Sequence, residues 1–150
     1  TLLRAGPDAI KFEIVREARI DLEGEWIDSI PVPVLGHVHS LAEKFLANAD
    51  RGLDRSTLSR DLVDLAFMLR HWGEEDARAG YALATDAYGA AVSRSLAAAI
   101  DLWTGNRTYR QGCIESLSID RETDLAAGMK ALEALDFGKT PSRKKSRTAR

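Results

Sequence analysis

Amphipathic helix dominates the chain after residue 40. Apolar residues recur at spacings of three and four from Leu41 to about Leu135, which is the period of helices that bury one face. The first predicted helix follows Ser40, whose hydroxyl can cap it, and runs through Phe45 until Gly52 closes it. This pattern predicts a helical bundle as the main part of the fold.

Glycines divide the rest of the helical pattern. A second helix is predicted over residues 57–72, with a leucine stripe on one side, and Gly73 ends it. The alanine-rich stretch 74–103 favours helix, and Gly80 and Gly89 are positions where it can bend or divide. Gly105 with its neighbouring asparagine marks a further break. Two shorter helices are then predicted, near 109–117 and 121–135.

Residues 10–22 alternate between apolar and polar side chains. Ile10, Phe12 and Ile14 begin the apolar side, whereas Glu13 lies on the polar side. A period of two predicts a strand, straight or bent in its middle, with one covered face. One strand needs partners, and the candidates are the short segments around Trp26 and Val34 or a segment ahead of the chain.

The fold class predicted from these patterns is α+β. A short N-terminal strand region is expected over residues 1–36, followed by a helical bundle over 37–138. Residues 139–150 contain six of the 21 basic residues and no acidic one, so a disordered, solvated tail is predicted there. The remainder carries 15 basic and 23 acidic residues, a formal charge of −8. A body this acidic is a poor general surface for nucleic acid.

Cys113 is the only cysteine of the chain, so an intrachain disulfide is excluded. A reducing cytoplasm fits this cysteine usage, and no apolar run reaches the length of a membrane span. A lone cysteine in a helical stretch usually packs in the core rather than acting as a nucleophile. His37 and His39 would share a side of an extended segment and could bind a metal, but no third ligand accompanies them.

The densest group of polar residues falls on the first two predicted helices. Lys44 and Arg51 are seven positions apart, which places them two turns apart on one face. On the second helix, Arg60, Asp61 and Asp64 share a side close to its buried edge. Two interpretations fit this spacing. The group is either a set of ordinary helix ion pairs, Arg60 with Asp64 and Lys44 with Asp61, or a functional site.

The amino-acid sequence of these two predicted helices resembles that of a known family. Ala42-Glu43-Lys44, then Arg51, then the stretch Arg60-Asp61-Leu62-Val63-Asp64-Leu65 resemble the late motifs of the AbiEii/AbiGii nucleotidyltransferase toxins, which belong to bacterial toxin–antitoxin and abortive-infection systems. The stretch Lys11-Phe12-Glu13-Ile14 resembles the acidic strand of that fold. The similarity extends over about residues 10–69, and the N-terminal strand region would then be a remnant of the nucleotidyltransferase sheet.

This resemblance implies a nucleotide site and its partners. Lys44 would contact the triphosphate of an NTP, Asp61 would position it, and Glu13 would be the third acid of a Mg²⁺ site. The remaining polar residues of the group, Arg51, Arg60 and Asp64, would brace the arrangement. The complete form would transfer a nucleotide from NTP to an acceptor such as tRNA, and a cognate antitoxin would be a partner.

The chain departs from the family pattern at its start. The family opens with a glycine-serine or glycine-glycine turn followed by two carboxylates, and residues 1–8 do not supply them. We therefore expect no nucleotide transfer by this chain alone. Three readings stay open: a partial nucleotidyltransferase, a non-catalytic module that binds a nucleotide or a partner protein, and a purely structural helical domain.

Overall fold

The fold is α+β, as predicted, with short strands ahead of a helical bundle. A computed structural model describes residues 2–5, 8–11 and 19–135 of the chain. In this described part, six α-helices follow four short strands. The helices are α1 (His37–Arg51), α2 (Arg60–Trp72), α3 (Glu74–Tyr88), α4 (Ala90–Gly105), α5 (Arg107–Ser116) and α6 (Glu122–Ala134).

Most of the predicted helix ends are confirmed. Gly52 and Gly73 follow α1 and α2, and Gly89 separates α3 from α4. Gly73 has φ +99° and Gly89 has φ +59°, a region that side chains with a β-carbon rarely adopt. The division considered at Gly80 is wrong, because α3 runs through it without a break. A β-carbon at Gly80 would lie 2.7 Å from the Leu41 β-carbon, so this glycine lets α3 approach α1 closely.

The predicted starts of the first two helices differ from the structure: α1 begins earlier than predicted, and α2 begins later. Helix α1 begins at His37, so Ser40 lies in its first turn and is not the N-cap, which is Gly36. Helix α2 begins at Arg60 rather than at residue 57. A 3-10 turn occupies Arg55–Thr57, and the next two residues are left-handed, Leu58 at φ 58° and Ser59 at φ 51°. Two left-handed residues in succession end any helical run, which the leucine periodicity could not indicate.

The strands form two separate two-stranded sheets. Strand β1 (Leu2–Ala5) pairs antiparallel with β2 (Asp8–Lys11), and β3 (Gly24–Glu25) pairs antiparallel with β4 (Val34–Leu35). Ile10 and Lys11, the described start of the predicted strand, therefore pair with β1 and not with the segments around residues 26 and 34.

The predicted strand over 10–22 is also too long at its end. Strand β2 ends at Lys11, residues 19–20 form a bend and residues 21–23 are irregular. Arg19 turns toward the bundle, where its guanidinium donates a hydrogen bond to Asp50 of α1 at 2.8 Å. Residues 12–18, which include Glu13, lie outside the described residues.

Helix α1 lies at the centre of the bundle. Leu41, Phe45 and Leu46 are fully buried among side chains of α2, α3 and α4. The rings of Phe45 and Tyr81 meet edge to face with their centroids 5.4 Å apart. None of the helices in the described part is long and apolar enough to cross a membrane.

Two antiparallel contacts position the polar residues. Helices α1 and α2 run in opposite directions, because Lys44 lies opposite Asp64 and Arg51 opposite Asp61. Helix α6 packs antiparallel on the other side of α2, with Arg70 near Asp124. The first half of α2 therefore lies between the polar face of α1 and the end of α6. The division of the chain at residues 36 and 138 stays a proposal.

Candidate functional site

One face of α1 carries three polar side chains. Lys44, Asn48 and Arg51 follow each other at offsets of four and three, so they project from successive turns of the same side. Lys44 and Arg51 stay partly exposed, with 32% and 52% of their side chains accessible, whereas Asn48 is 1% exposed. Two cations thus flank a buried amide on the side of α1 that faces α2.

Two carboxylates of α2 meet these cations. Asp61, only 2% exposed, accepts a hydrogen bond from Arg51 Nε at 2.7 Å and another from Arg51 Nη2 at 3.0 Å. Lys44 Nζ lies 3.5 Å from Asp61 Oδ1 and 2.5 Å from Asp64 Oδ2. The two helices are therefore joined by a four-residue cluster with two positive and two negative charges, which we call the ionic cluster (Lys44, Arg51, Asp61, Asp64).

Asp61 is held in its charged form despite its burial. Burial acts most strongly on this group and favours the neutral acid, but the hydrogen bonds and charges of Arg51 and Lys44 together outweigh it. The pKa of Asp61 consequently lies below its ordinary value. The same contact raises the pKa of Arg51, first through its hydrogen bond to Asp61 and then through the carboxylate charge. Both partners remain ionised over the physiological range.

An open groove of about 400 Å³ adjoins the ionic cluster. Lys44 and Asp64 form one end of its lining, and Phe67 and Met68 supply apolar surface. At the other end, Trp72 stacks on His37 with ring centroids 4.2 Å apart. The lining thus combines the ammonium group of Lys44 and the carboxylates of Glu43 and Asp64 with aromatic and apolar surface.

The structure brings together four of the six predicted site residues. Lys44 and Arg51 share a face, as their spacing predicted, and in the structure they meet Asp61 and Asp64. Arg60 is exposed, and within residues 19–135 it makes no ion pair with Asp64, which Lys44 contacts instead. The interpretation that paired Arg60 with Asp64 is therefore wrong. Glu13 lies outside the described residues, so its place in the site stays a prediction.

Two further residues belong to the site's surroundings and were missed. Asn48 reads as an ordinary helix residue, and its position between Lys44 and Arg51 on one face is the only signal that could have singled it out. Arg19 was assigned to the polar side of a strand, but it contacts Asp50 at 2.8 Å and Glu43 at 3.7 Å on α1. Arg19 therefore fixes the chain against α1 six residues after Glu13.

The prediction that His37 and His39 share a side and could bind a metal is wrong. His37 and His39 lie in the first turn of α1, where residues two apart point to different sides of the helix. His37 stacks on Trp72, and its Nδ1 lies 3.1 Å from Asp76. Its role in the fold is thus to join α1 to α3.

Cys113 packs in the core, as predicted. Its thiol belongs to a buried residue with 1% exposure. Burial is the main cause that raises the pKa of this thiol, so the reactive thiolate is disfavoured. Nucleophilic chemistry at Cys113 is not supported.

The ionic cluster does not by itself fit a metal ion. Across residues 2–5, 8–11 and 19–135, no three His, Cys, Asp or Glu side chains converge to hold one. Asp61 is occupied by Arg51, and Asp64 by Lys44. Mg²⁺ prefers several free oxygen ligands, so a magnesium site would need acids beyond these two.

The fold and the cluster define an α+β protein whose helical bundle presents a lysine, held by carboxylates, at the mouth of a groove. The AbiEii nucleotidyl transferase toxins of type IV toxin–antitoxin systems match this chain over residues 3–142, and the chain belongs to that family. No curated protein and no solved structure matches it.

Proposed function

We propose that this chain provides the nucleotide-holding part of a nucleotidyl transfer reaction. The observation that carries the proposal is the position of Lys44, whose side chain is partly exposed and lines the groove between α1 and α2. A triphosphate would lie against this ammonium group, and the base would lie against the apolar lining at Phe67 and Met68. Charge stabilisation and positioning account for most of the catalysis of phosphoryl-type transfers, so such a site contributes directly to the reaction.

Each member of the ionic cluster has a proposed role. Lys44 neutralises phosphate charge, Asp61 fixes the direction of the Lys44 and Arg51 side chains, and Arg51 holds Asp61 in place. Asp64 is the residue that a phosphate would displace from Lys44. At 37% exposure it can be hydrated again at little cost. Arg60 is a second cation close to the start of α2, and Glu13 is the acid that would help to hold Mg²⁺.

Magnesium, the acceptor and the partners are proposed on the basis of family membership. The family consists of nucleotidyl transferases, and such enzymes use an NTP together with Mg²⁺. We propose tRNA as the acceptor to test first and the antitoxin of the same toxin–antitoxin pair as the protein partner. We also propose the cytoplasm as the location, because a single buried thiol fits a reducing compartment.

A second candidate function is nucleotide binding without transfer. The specific observation in its favour is that Asp61 and Asp64 are both engaged by cations, so neither is free to hold a metal ion. We expect this chain alone to give no turnover. A transfer assay with labelled NTP, Mg²⁺ and tRNA tests this directly. Incorporation of label that Lys44→Ala abolishes would contradict the binding-only function and support transfer.

Thermal unfolding with and without Mg²⁺ and each NTP tests the nucleotide site itself. Ligand at about a hundred times its dissociation constant stabilises a protein by roughly 2.7 kcal/mol, which is several degrees for a domain of this size. We expect Lys44→Ala to remove the shift. Lys130→Ala, which removes an exposed lysine of α6, should keep it. An equal shift in both variants would exclude Lys44 as the phosphate contact.

A further inference from the structure

Asn48 has an unsatisfied side chain in the middle of the site. It is 1% exposed, and among the residues that the structure describes neither its Oδ1 nor its Nδ2 has a hydrogen-bond partner. Buried amides are nearly always hydrogen-bonded, because burial without a partner costs free energy. An apolar side chain of similar size would avoid this cost. Within the part of the chain that the structure describes, no contact of the amide gives a stability reason for an asparagine here.

The position of Asn48 relates it to Asp61. Lys44 lies one turn before Asn48 on α1 and Arg51 lies one turn after it, on the same face. Both cations reach the single carboxylate of Asp61. Asp61 is thus contacted from the turns before and after Asn48, and Asn48 projects from the same face of α1. Gly52 leaves room for the amide, since a β-carbon at Gly52 would lie 2.5 Å from Asn48 Oδ1.

Phosphate binding would disturb the charge balance around Asp61. Lys44 is shared between Asp61 and Asp64, and a triphosphate at Lys44 would draw the ammonium group toward the groove. Asp61 would keep both hydrogen bonds from Arg51 but lose the charge of Lys44, its second cationic partner, and a buried carboxylate that loses a partner is destabilised. An amide can donate a hydrogen bond in place of Lys44 without adding a positive charge that competes for the phosphate.

We propose that Asn48 is a positioning residue, whose amide donates to the Asp61 carboxylate when a phosphate ligand draws Lys44 away. The amide thereby keeps Asp61 and Arg51 in place while Lys44 follows the ligand. The part of this inference that concerns the ligand rests on the proposed nucleotide site. The exchange of partners at Asp61 does not, because removing the Lys44 side chain imitates the state in which the ligand has taken it.

A double-mutant cycle tests the exchange without any ligand. Asn48→Leu alone should leave the melting temperature unchanged or raise it, because it removes two unsatisfied polar groups at similar volume. In the Lys44→Ala background the same change should lower the melting temperature by roughly 2–5 °C, because Asp61 then needs the amide. Lys130→Ala serves as the control background, in which Asn48→Leu should behave as it does alone. An equal effect of Asn48→Leu in all three backgrounds would overturn the proposal.

A second experiment measures the nucleotide affinity and the NMR signals of the Asn48 side-chain amide in the presence of nucleotide. Asn48→Leu should bind NTP with Mg²⁺ about tenfold more weakly than the unsubstituted protein, the scale of one lost hydrogen bond to a charged group. The side-chain amide signals of Asn48 in a nitrogen-15 NMR spectrum, assigned by their loss in Asn48→Leu, should shift on addition of NTP. Unchanged signals and affinity despite nucleotide binding would overturn the role in binding. If the double-mutant cycle shows coupling between Asn48 and Lys44 but no nucleotide binds, the proposed function is rejected. The exchange of partners at Asp61 would still be supported.

Discussion

Arg51 and Asp61 form an ion pair that joins the last turn of α1 to the first turn of α2. The guanidinium donates two hydrogen bonds to the carboxylate, an arrangement that is stronger and more directional than a single contact. The pair also encloses the turn between the helices, in which Leu58 and Ser59 have left-handed backbone conformations. Arg51 thus fixes how α2 begins relative to α1.

Removal of Arg51 should destabilise the protein clearly. Arg51→Ala leaves the buried carboxylate of Asp61 with Lys44 alone, so we expect the free energy of unfolding to fall by about 1–3 kcal/mol. Urea unfolding near neutral pH measures this change. Arg60→Ala, which removes an exposed arginine nine residues further on, should alter stability by no more than about 0.5 kcal/mol. Equal effects of the two substitutions would mean that the pair with Asp61 contributes little.

The ionised state of Asp61 should appear in the pH dependence of stability. Its pKa in the folded chain is lower than the ordinary value of 3.8, so the unfolded state binds a proton first. The stabilisation is complete above that ordinary value and is lost as the pH falls through the folded pKa. The stability difference between the unsubstituted protein and Asp61→Asn should therefore shrink as the pH decreases below about 4.

Urea midpoints across the acidic range measure this difference. The same substitution at exposed Asp120 provides the control, because it removes a carboxylate without removing a buried ion pair. A difference for Asp61→Asn that stays constant through the acidic range would show that the folded pKa is not depressed.

Gly128 of α6 should tolerate no side chain. A β-carbon there would overlap the backbone carbonyl of Ala66 in α2, and backbone cannot move aside as a flexible side chain can. Gly128→Ala is expected to cost about 1–3 kcal/mol. Gly112→Ala, in the middle of α5 with open space around it, should instead stabilise by up to about 1 kcal/mol. Unfolding midpoints of the two variants should thus move in opposite directions.

Trp72 should report on occupation of the groove. It lines the groove, whereas Trp103 is 3% exposed in the core and Trp26 is 75% exposed on the segment between β3 and β4. A nucleotide base that contacts the groove should quench the fluorescence of Trp72. Titration of Trp72→Phe should show no quenching, and Trp26→Phe should respond as the unsubstituted protein does. Quenching that persists in Trp72→Phe would place the base elsewhere.

The sequence was most informative where one residue spacing decides the geometry. The seven-residue interval between Lys44 and Arg51 placed both on one face of α1, and the structure confirms it. Which carboxylates they meet depends on how α2 is rotated against α1, and this rotation follows from packing. The spacing along α2 therefore suggested a pair between Asp64 and Arg60, whereas in the structure Asp64 pairs with Lys44.

The strand region shows a different limit of sequence analysis. Alternation predicts that a strand exists but not where its partner lies. The pairing was sought at residues 26 and 34 or ahead of the chain, while β2 pairs with β1, the strand just before it. The end of the predicted strand was wrong, because residues 19–20 form a bend and residues 21–23 are irregular. Asn48 was missed because an unsatisfied amide can be recognised only after its burial is known.

All four members of the ionic cluster lie between Lys44 and Asp64, on two helices that follow each other directly in the chain. Contacts of such short separation close with little loss of chain entropy and form rapidly. We therefore expect the cluster to form together with the α1–α2 hairpin, before α6 has docked on α2. The nucleotide-holding geometry is then a local property of one helical hairpin, and the rest of the bundle maintains it.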